Sequence, residues 1–303
     1  MRSMTSTIRD SRAGQSPCFA ATPESEPSVP PLPCPPKPVR IGAVSYLNAR
    51  PLIYGLPRLA PWARIDVDLP SRLADGLKDG LFDVAIVPSI EYFRLPGASI
   101  VSDVCIACDG PVKSVKLYSR VPLERIRTLA LDEGSRTSAA LARLLLKERL
   151  GLEPELQQLP IGSGLEESPA DAVMLIGDRA MRRPQGGFDS IWDLGEEWSR
   201  WAGLPFVFAL WVARRGAELE ATAEALVEAR NEGVKHLQEI ARSAAPGLGV
   251  SEEECRSYLC RHLRFHLGQR ERQGLETFYQ LAANEGLAPG GVELVFYDQR
   301  HRR

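Results

Sequence analysis

Four times in this chain, a short apolar run of β type ends in small polar residues and then continues as a helix. Such strand-to-helix turns gather at the carboxyl ends of the strands in an open α/β sheet, where ligands bind. Backbone N–H groups at helix N-termini favour anions. The pattern therefore predicts an α/β protein that binds a small anion. The four turns lie within residues 40–52, 82–92, 128–138 and 172–179.

Length and charge narrow the class of protein. At 303 residues the chain is long enough for two lobes, each with its own core. The net charge is −2 and the basic residues are spread along the chain, which argues against a nucleic-acid partner. No apolar stretch approaches the roughly 20 residues of a membrane span, and no secretory signal is visible. These features predict a cytoplasmic protein with a small-molecule partner and no membrane partner.

The order of the sequence patterns predicts how the chain is divided. Residues 1–38 are read as a disordered Pro-rich tail, since this segment is too poor in apolar residues to offset its ordering entropy. We expect residues 39–125 to form the first part of lobe 1, and residues 126–204 to form lobe 2. Residues 205–303 would then supply a return strand and C-terminal helices to lobe 1. The ligand is expected in the cleft between the lobes.

Cysteine and histidine spacing raises metal and redox alternatives. Cys105 and Cys108 have the C-x-x-C spacing, but they lie in a β-like run with no second matched pair, so buried free thiols are expected. His262 and His266 have the spacing of half a zinc site on a helix, without the Glu that the HExxH motif requires. A solvated or packed helix face is the preferred interpretation. We predict no metal site.

The third turn leads into the clearest helix of the sequence, expected over residues 137–150. Ser135 is a candidate N-cap, Thr137 and Ser138 follow in the first turn, and Gly151 suits the C-terminal end. The Ser-rich turn can be explained by helix capping alone or by contact with a ligand. The pattern leaves both interpretations open.

Taken together, these motifs and their order resemble the chorismate dehydratase family, which acts in the futalosine route to menaquinone. The resemblance covers about residues 40–286. It implies a type II periplasmic-binding-protein fold with two lobes, used as a cytosolic enzyme that needs neither metal nor organic cofactor. It also implies that chorismate is the substrate. The residues that carry the resemblance are 45–52, 89–92, 135–138, 193–198 and 203–211.

Two alternatives share this fold. A sister family cleaves cyclic dehypoxanthine futalosine with a histidine base in the turn after the fourth of these strands. Here that turn reads Ile176, Gly177, Asp178, Arg179, and all four histidines of the chain lie in its C-terminal third. A non-catalytic protein that binds a small anion is the other alternative, although a transport receptor should carry a secretory signal. Both are less favoured than the dehydratase.

The resemblance and the turns together suggest site residues. Dehydration removes the C3 proton and the C4 hydroxyl of chorismate, and hydroxide is a poor leaving group, so a polar contact near the C4 oxygen is expected. Asn48 and Ser89 are the catalytic candidates. The expected substrate-binding residues are Ser45, Ser135, Thr137, Ser138, Gly177 and Asp178.

No convincing protein base appears among the motif residues. We therefore favour a route in which the enolpyruvyl carboxylate of the substrate takes the C3 proton, with the advantage of an intramolecular base. Asp178 is the alternative base. Arg50, Arg136 and Arg179 could pair with substrate carboxylates, although arginines beside a motif are more often solvated.

Overall fold

The computed structural model describes residues 38–297, so the predicted tail lies almost wholly outside the described residues. The strands are β1 (Val39–Val44), β2 (Ala63–Asp68), β3 (Val84–Pro88), β4 (Ser99–Cys108), β5 (Val115–Ser119), β6 (Thr128–Asp132), β7 (Glu155–Leu159), β8 (Ala172–Ile176), β9 (Ser190–Asp193), β10 (Phe206–Ala213) and β11 (Arg264–His266). The α-helices are α1 (Leu56–Leu59), α2 (Pro70–Lys78), α3 (Ser89–Tyr92), α4 (Arg136–Leu150), α5 (Asp178–Met181), α6 (Leu194–Ala202), α7 (Glu220–Lys235), α8 (Leu237–Leu248), α9 (Glu252–Ser257) and α10 (Gln269–Asn284). Short 3₁₀ helices cover Leu47–Ile53, Leu123–Arg125 and Leu165–Glu167, and Tyr258–His262 forms a π-helical turn.

The strands form two sheets. The first is six-stranded, in the order β11-β4-β10-β3-β1-β2. β1 runs parallel to β2 and β3, whereas β10 is antiparallel to both β3 and β4. All eight residues of β10 are buried, which fits its apolar sequence and central position. The return strand expected near residue 206 is therefore present in the middle of this sheet.

The second sheet is five-stranded, in the order β7-β6-β8-β5-β9. β6 is parallel to β7 and β8, and β5 is antiparallel to β8 and β9. The predicted α/β class is confirmed, with the strands divided between two sheets. β5 precedes residue 126 yet lies between two strands of the second sheet, so the connection between the sheets comes earlier than the boundary expected at residue 125.

Both connections between the sheets contact α6. The Asp193 carboxylate accepts hydrogen bonds from the N–H groups of Val112 (2.8 Å) and Lys113 (2.7 Å) in the first connection. The same carboxylate caps the first turn of α6. Trp198 of this helix donates its indole N–H to the carbonyl of Pro205 in the second connection (3.3 Å). The tract at 193–198 thus holds the two crossing segments next to each other.

The region after the return strand β10 is not purely helical, contrary to expectation. β11 lies at the edge of the six-stranded sheet, antiparallel to β4, and His266 belongs to it. His262 ends the π-helical turn, so the two histidines do not share a helix face and that interpretation is wrong. His262 Nδ1 instead lies 2.9 Å from the Pro111 carbonyl, and His266 pairs with Asp103 at 2.8 Å. Pairing of β11 with β4 at the edge of the sheet, rather than the helix-like spacing of the two histidines, determines the local structure.

The cysteine pair is part of the core. Cys105 and Cys108 lie in β4 and are buried, and burial raises the pKa of each thiol well above its ordinary value. A thiol kept protonated in this way is a poor nucleophile and metal ligand. Within residues 38–297, no cluster of His, Cys, Asp or Glu has the arrangement of a metal site. None of the helices there is both long and apolar enough to cross a membrane.

Candidate functional site

A cavity lies between the two sheets, with walls from both. It measures about 40 Å³, room for a few water molecules. No charged side chain is among its lining residues in the described part of the chain. The lining residues are Val44, Tyr46, Asn48, Pro70, Pro88, Ile106, Val112, Ser114, Val115, Ser135, Ser138, Ile176, Gly177, Phe208 and Ala209.

The turn after β1 places an amide on the cavity wall. Asn48 lies in the first turn of the 3₁₀ helix, and its Oδ1 atom is buried with no hydrogen-bond partner among residues 38–297. Buried polar atoms in proteins are almost always paired, because leaving one unpaired costs about 1–3 kcal/mol. A group retained at that cost on a cavity wall is a strong candidate for contact with a ligand.

The hydroxyl groups of Ser114 and Tyr258 lie with Asn48 in one polar group beside the cavity. The phenol of Tyr258 donates to Oγ of Ser114 at 2.7 Å. The Asn48 side chain lies beside the same phenol and acts to lower its pKa, against the larger effect of burial. Ser114 and Tyr258 are both buried. A hydrogen bond therefore links a residue just before β5 to a residue of the C-terminal π-helical turn, and a residue of the first turn lies beside this pair.

The N-terminus of α4 forms another part of the wall. The Ser135 side chain caps the helix by accepting from the N–H of Ser138 (3.3 Å), and its hydroxyl donates to the Ser138 hydroxyl (2.9 Å). Both residues line the cavity. The predicted helix and cap are thus present, and the cap faces the space where a ligand would bind. Helix capping and ligand contact, the two alternatives for this turn, are geometrically compatible.

The turn after β8 packs against the first turn. Gly177 has φ +69°, and a Cβ atom there would lie 2.8 Å from the ring of Tyr46. Only glycine combines this backbone conformation with such close contact. Asp178 does not line the cavity: its Oδ1 accepts from the N–H of Leu47 at 3.1 Å. Burial raises the pKa of Asp178 above its ordinary value.

Ser89 and Thr137 lie outside the cavity lining. Ser89 is fully buried, and its hydroxyl donates to the carbonyl of Val207 at 2.7 Å and lies 3.4 Å from the Thr137 hydroxyl. Thr137 Oγ1 accepts from the N–H of Ile90 at 3.1 Å. These two residues join α3 to α4 across the two sheets. Ser45 is exposed and is also not a lining residue.

Two of the arginines proposed as carboxylate partners already pair with protein carboxylates. Arg136 binds Asp75 (2.8 Å) and Glu91 (3.2 Å), which links α4 to the helices of the six-stranded sheet. Arg179 binds Asp132 at 2.5 Å, and burial raises the pKa of this fully buried carboxyl despite the ion pair. Neither arginine lines the cavity, and nor does Arg50.

Comparison with protein families identifies the chain. The profile described as menaquinone biosynthesis matches residues 39–284. The chain belongs to this family. A chorismate dehydratase from Thermus thermophilus is a relative with 34% identity over 259 residues, covering 76% of this chain and 94% of the relative. The resemblance seen in the sequence is confirmed.

Solved structures of other proteins share the fold of this chain. Protein AF1704 from Archaeoglobus fulgidus has a TM-score of 0.67 at 18% identity, covering 82% of this chain and 98% of that one. The alkanesulfonate-binding protein from Xanthomonas axonopodis pv. citri, solved with MOPS, has a TM-score of 0.56 at 14% identity, covering 84% and 95%. At these identities the likeness shows the fold alone. It confirms the periplasmic-binding-protein-like architecture.

Sequence reasoning missed two residues of the polar group in this family member. Ser114 lies between Gly110 and β5 in a stretch that reads only as a connecting strand. Tyr258 lies in a segment with no strand-to-helix pattern. Each of the two residues carries a hydroxyl group beside an apolar run. This pattern is too common in the sequence to single them out.

Proposed function

We propose that this chain is a chorismate dehydratase of menaquinone biosynthesis. It removes the C3 proton and the C4 hydroxyl of chorismate and leaves 3-[(1-carboxyvinyl)oxy]benzoate. Aromatisation of the ring supplies the driving force, so the protein mainly has to orient the substrate and stabilise developing charge. Membership of the family and the 34% identity to a chorismate dehydratase support this reaction.

The observation that carries the proposal is the unpaired Asn48 amide oxygen on the cavity wall. The C4 hydroxyl of chorismate can donate its hydrogen to this oxygen and so become paired. Ser114 lies in the same polar group and faces the same cavity. We assign Asn48 and Ser114 the contacts to the C4 oxygen. The catalytic role suggested for Ser89 is less well supported, because its hydroxyl is already paired within the core.

The carboxylates of chorismate are assigned to uncharged groups. Ser135 and Ser138 line the cavity at the N-terminus of α4, a helix of 15 residues. Hydroxyl groups and the positive end of a helix dipole stabilise anions without a formal charge. Gly177 shapes the opposite wall, where its missing Cβ leaves room for the Tyr46 ring. Thr137 supports this helix end from behind rather than contacting the ligand.

The proton acceptor is assigned to the substrate. Among the described residues that line the cavity there is no carboxylate, and Asp178 is turned toward the N–H of Leu47. The enolpyruvyl carboxylate lies close to C3 within chorismate itself and needs no further positioning. The carboxylate takes the C3 proton, the electrons of the C3–H bond form the new ring double bond to C4, and the C4–O bond breaks so that hydroxide leaves with its electrons. Asp178 stays the alternative base.

The size of the cavity adds a requirement. At about 40 Å³ it is far smaller than the roughly 300–1,000 Å³ of most ligand sites. The two sheets therefore have to move apart for chorismate to enter, and their closed arrangement excludes water during the reaction. The contacts that must open include Leu47 to Asp178 and Arg136 to Asp75. A cytoplasmic location is part of this proposal.

Incubation of the purified protein with chorismate, followed by mass spectrometry, tests the function. The expected product is lighter than chorismate by one water molecule. Asn48→Ala should abolish most of the turnover, whereas Asn231→Ala, which removes an amide on α7 outside the cavity lining, should retain it. Absence of product from the unaltered protein would contradict the proposal.

The sister lyase remains the second candidate, because it shares the fold. Incubation with cyclic dehypoxanthine futalosine tests it in parallel. Within residues 38–297 no histidine lines the cavity, which disfavours a histidine base. A protein that binds chorismate without converting either compound would be the non-catalytic binding protein.

A further inference from the structure

Tyr258 is the least expected member of the polar group around the cavity. It begins the π-helical turn between α9 and β11, and it is only 2% exposed. Single π-helical turns are rare and often occur at functional sites. Tyr258 does not itself line the cavity, but both residues that it contacts through its phenol do. Any effect of Tyr258 on a ligand must therefore pass through Asn48 and Ser114.

The hydrogen-bond directions determine what these two residues offer to a ligand. Because Tyr258 donates to Oγ of Ser114, the hydrogen of the Ser114 hydroxyl is free to point into the cavity. The Asn48 amide lies beside the phenol, and its Oδ1 is buried without a partner among residues 38–297, so it can accept a hydrogen bond from a ligand. Burial raises the pKa of Tyr258 well above its ordinary value, so the phenol stays protonated and keeps donating.

We propose that Tyr258 is a positioning residue that makes Ser114 a hydrogen-bond donor toward the C4 oxygen of the substrate, beside the acceptor that Asn48 provides. This inference rests on the proposed dehydration. The leaving oxygen gains negative charge as the C4–O bond breaks, so it needs the donor, while its own hydrogen needs the acceptor. The phenol sets the direction at Ser114, since the one hydrogen that it has to give goes to Oγ of that residue.

Tyr258→Phe removes the phenol oxygen and keeps the ring. We expect kcat to fall about tenfold or more, since one hydrogen bond lost in the transition state corresponds to roughly that factor. KM should change by less than about threefold, because the carboxylate contacts at α4 are untouched. Unchanged kcat in Tyr258→Phe would overturn the proposal.

Tyr118→Phe is the matched control. Tyr118 is also buried, and its phenol donates to the Ala180 carbonyl at 3.3 Å, outside the cavity lining. The two variants should lower the melting temperature by similar amounts, and only Tyr258→Phe should lower kcat. An equal loss of kcat in both variants would mean that any buried phenol has this effect, and it too would contradict a positioning role.

A double-mutant cycle shows whether Tyr258 acts through Ser114. In a Ser114→Ala background, Tyr258→Phe should cost less than about threefold, because the donor that it orients is already absent. A loss as large as in the unaltered protein would overturn the proposal. If turnover of Ser114→Ala is too slow for steady-state assay, the same cycle is run on single-turnover rates, with the protein in excess over chorismate.

A rescue variant separates hydrogen-bond donation from packing. Incorporation of p-aminophenylalanine at position 258 restores an N–H donor at the place of the phenol and should recover most of the lost kcat. It also serves if Tyr258→Phe does not fold. Failure to recover activity in a folded rescue variant would count against donation. If the unaltered protein makes no product from chorismate, the proposed function itself is contradicted. If it does make product but the losses caused by Tyr258→Phe and Ser114→Ala simply add, only the role of Tyr258 is refuted.

Discussion

Two turns with the same strand-to-helix pattern have different surroundings in this protein. The turn after β1 carries Asn48, whose amide oxygen is buried and unpaired on the cavity wall. The turn after β3 carries Ser89, whose hydroxyl donates to the Val207 carbonyl and lies near Thr137. Both residues are small, polar and located where a strand becomes a helix. Only the first faces the cavity.

The difference comes from the neighbouring strand. β10 runs antiparallel beside β3, and its carbonyl at Val207 lies within reach of the Ser89 hydroxyl. β1 has parallel neighbours on both sides, and the residues beyond its end face the opposite sheet. A polar side chain at the end of a strand is thus available to a ligand only where no adjacent backbone group already forms a hydrogen bond with it.

The largest effect expected from this comparison is that of Asn48→Ala. Removal of a group that contacts the reacting oxygen should lower kcat by about 10²–10³. KM should change much less, because the carboxylate contacts remain. Steady-state kinetics with chorismate measures both quantities. A variant with nearly full activity would show that the unpaired amide is not used in the reaction.

Ser89→Ala should act on stability instead. It leaves the Val207 carbonyl without its donor in the core, at a cost of about 1–3 kcal/mol in the free energy of unfolding. Denaturant titration measures this loss, and kinetics at a temperature where the variant is folded should show little change in kcat. A fall in kcat as large as that of Asn48→Ala, with normal stability, would restore Ser89 as a catalytic residue.

Thr137→Val tests the same buried contact from the other side. Valine matches threonine in shape but cannot accept from the N–H of Ile90, so we expect a loss of about 1 kcal/mol in stability. If Thr137 were a carboxylate clamp, KM would rise instead. Combining Thr137→Val with Ser89→Ala should cost less than the sum of the two, because the residues share one set of hydrogen bonds.

The smallest change in activity is expected for Asp178→Asn, which keeps an oxygen to accept from Leu47 N–H. Substrate-assisted proton transfer predicts that kcat stays within about threefold of its original value. A loss of several orders of magnitude would assign proton abstraction to Asp178.

The same variant should change how stability depends on pH. Burial raises the pKa of folded Asp178 above its ordinary value of 3.8. The stability contributed by this group is therefore fully present below that value and is lost as the pH rises through the folded pKa. The asparagine does not titrate. Melting temperatures should thus shift in favour of Asp178→Asn as the pH rises from about 4, and an opposite trend would contradict a raised pKa.

The sequence alone determined much of the fold. Four apolar runs followed by small polar residues correctly predicted β1, β3, β6 and β8, and capping chemistry predicted α4 from Ser135 to Gly151. These features are local, since hydrophobic period and helix caps depend on residues within a few positions of each other. The order of the motifs was sufficient to recognise the family.

The tertiary structure alone decided which polar residues face the cavity. Whether a side chain is paired depends on backbone groups far away in the chain, such as Val207 for Ser89. Ser114 and Tyr258 are 144 positions apart, and no local pattern connects them. The edge strand β11 likewise depends on β4 as its partner, and this pairing places His266 in a strand rather than on a helix with His262. Long-range hydrogen bonds and strand pairing are set by topology, which is why a local reading of the sequence could propose candidates for the site but could not select among them.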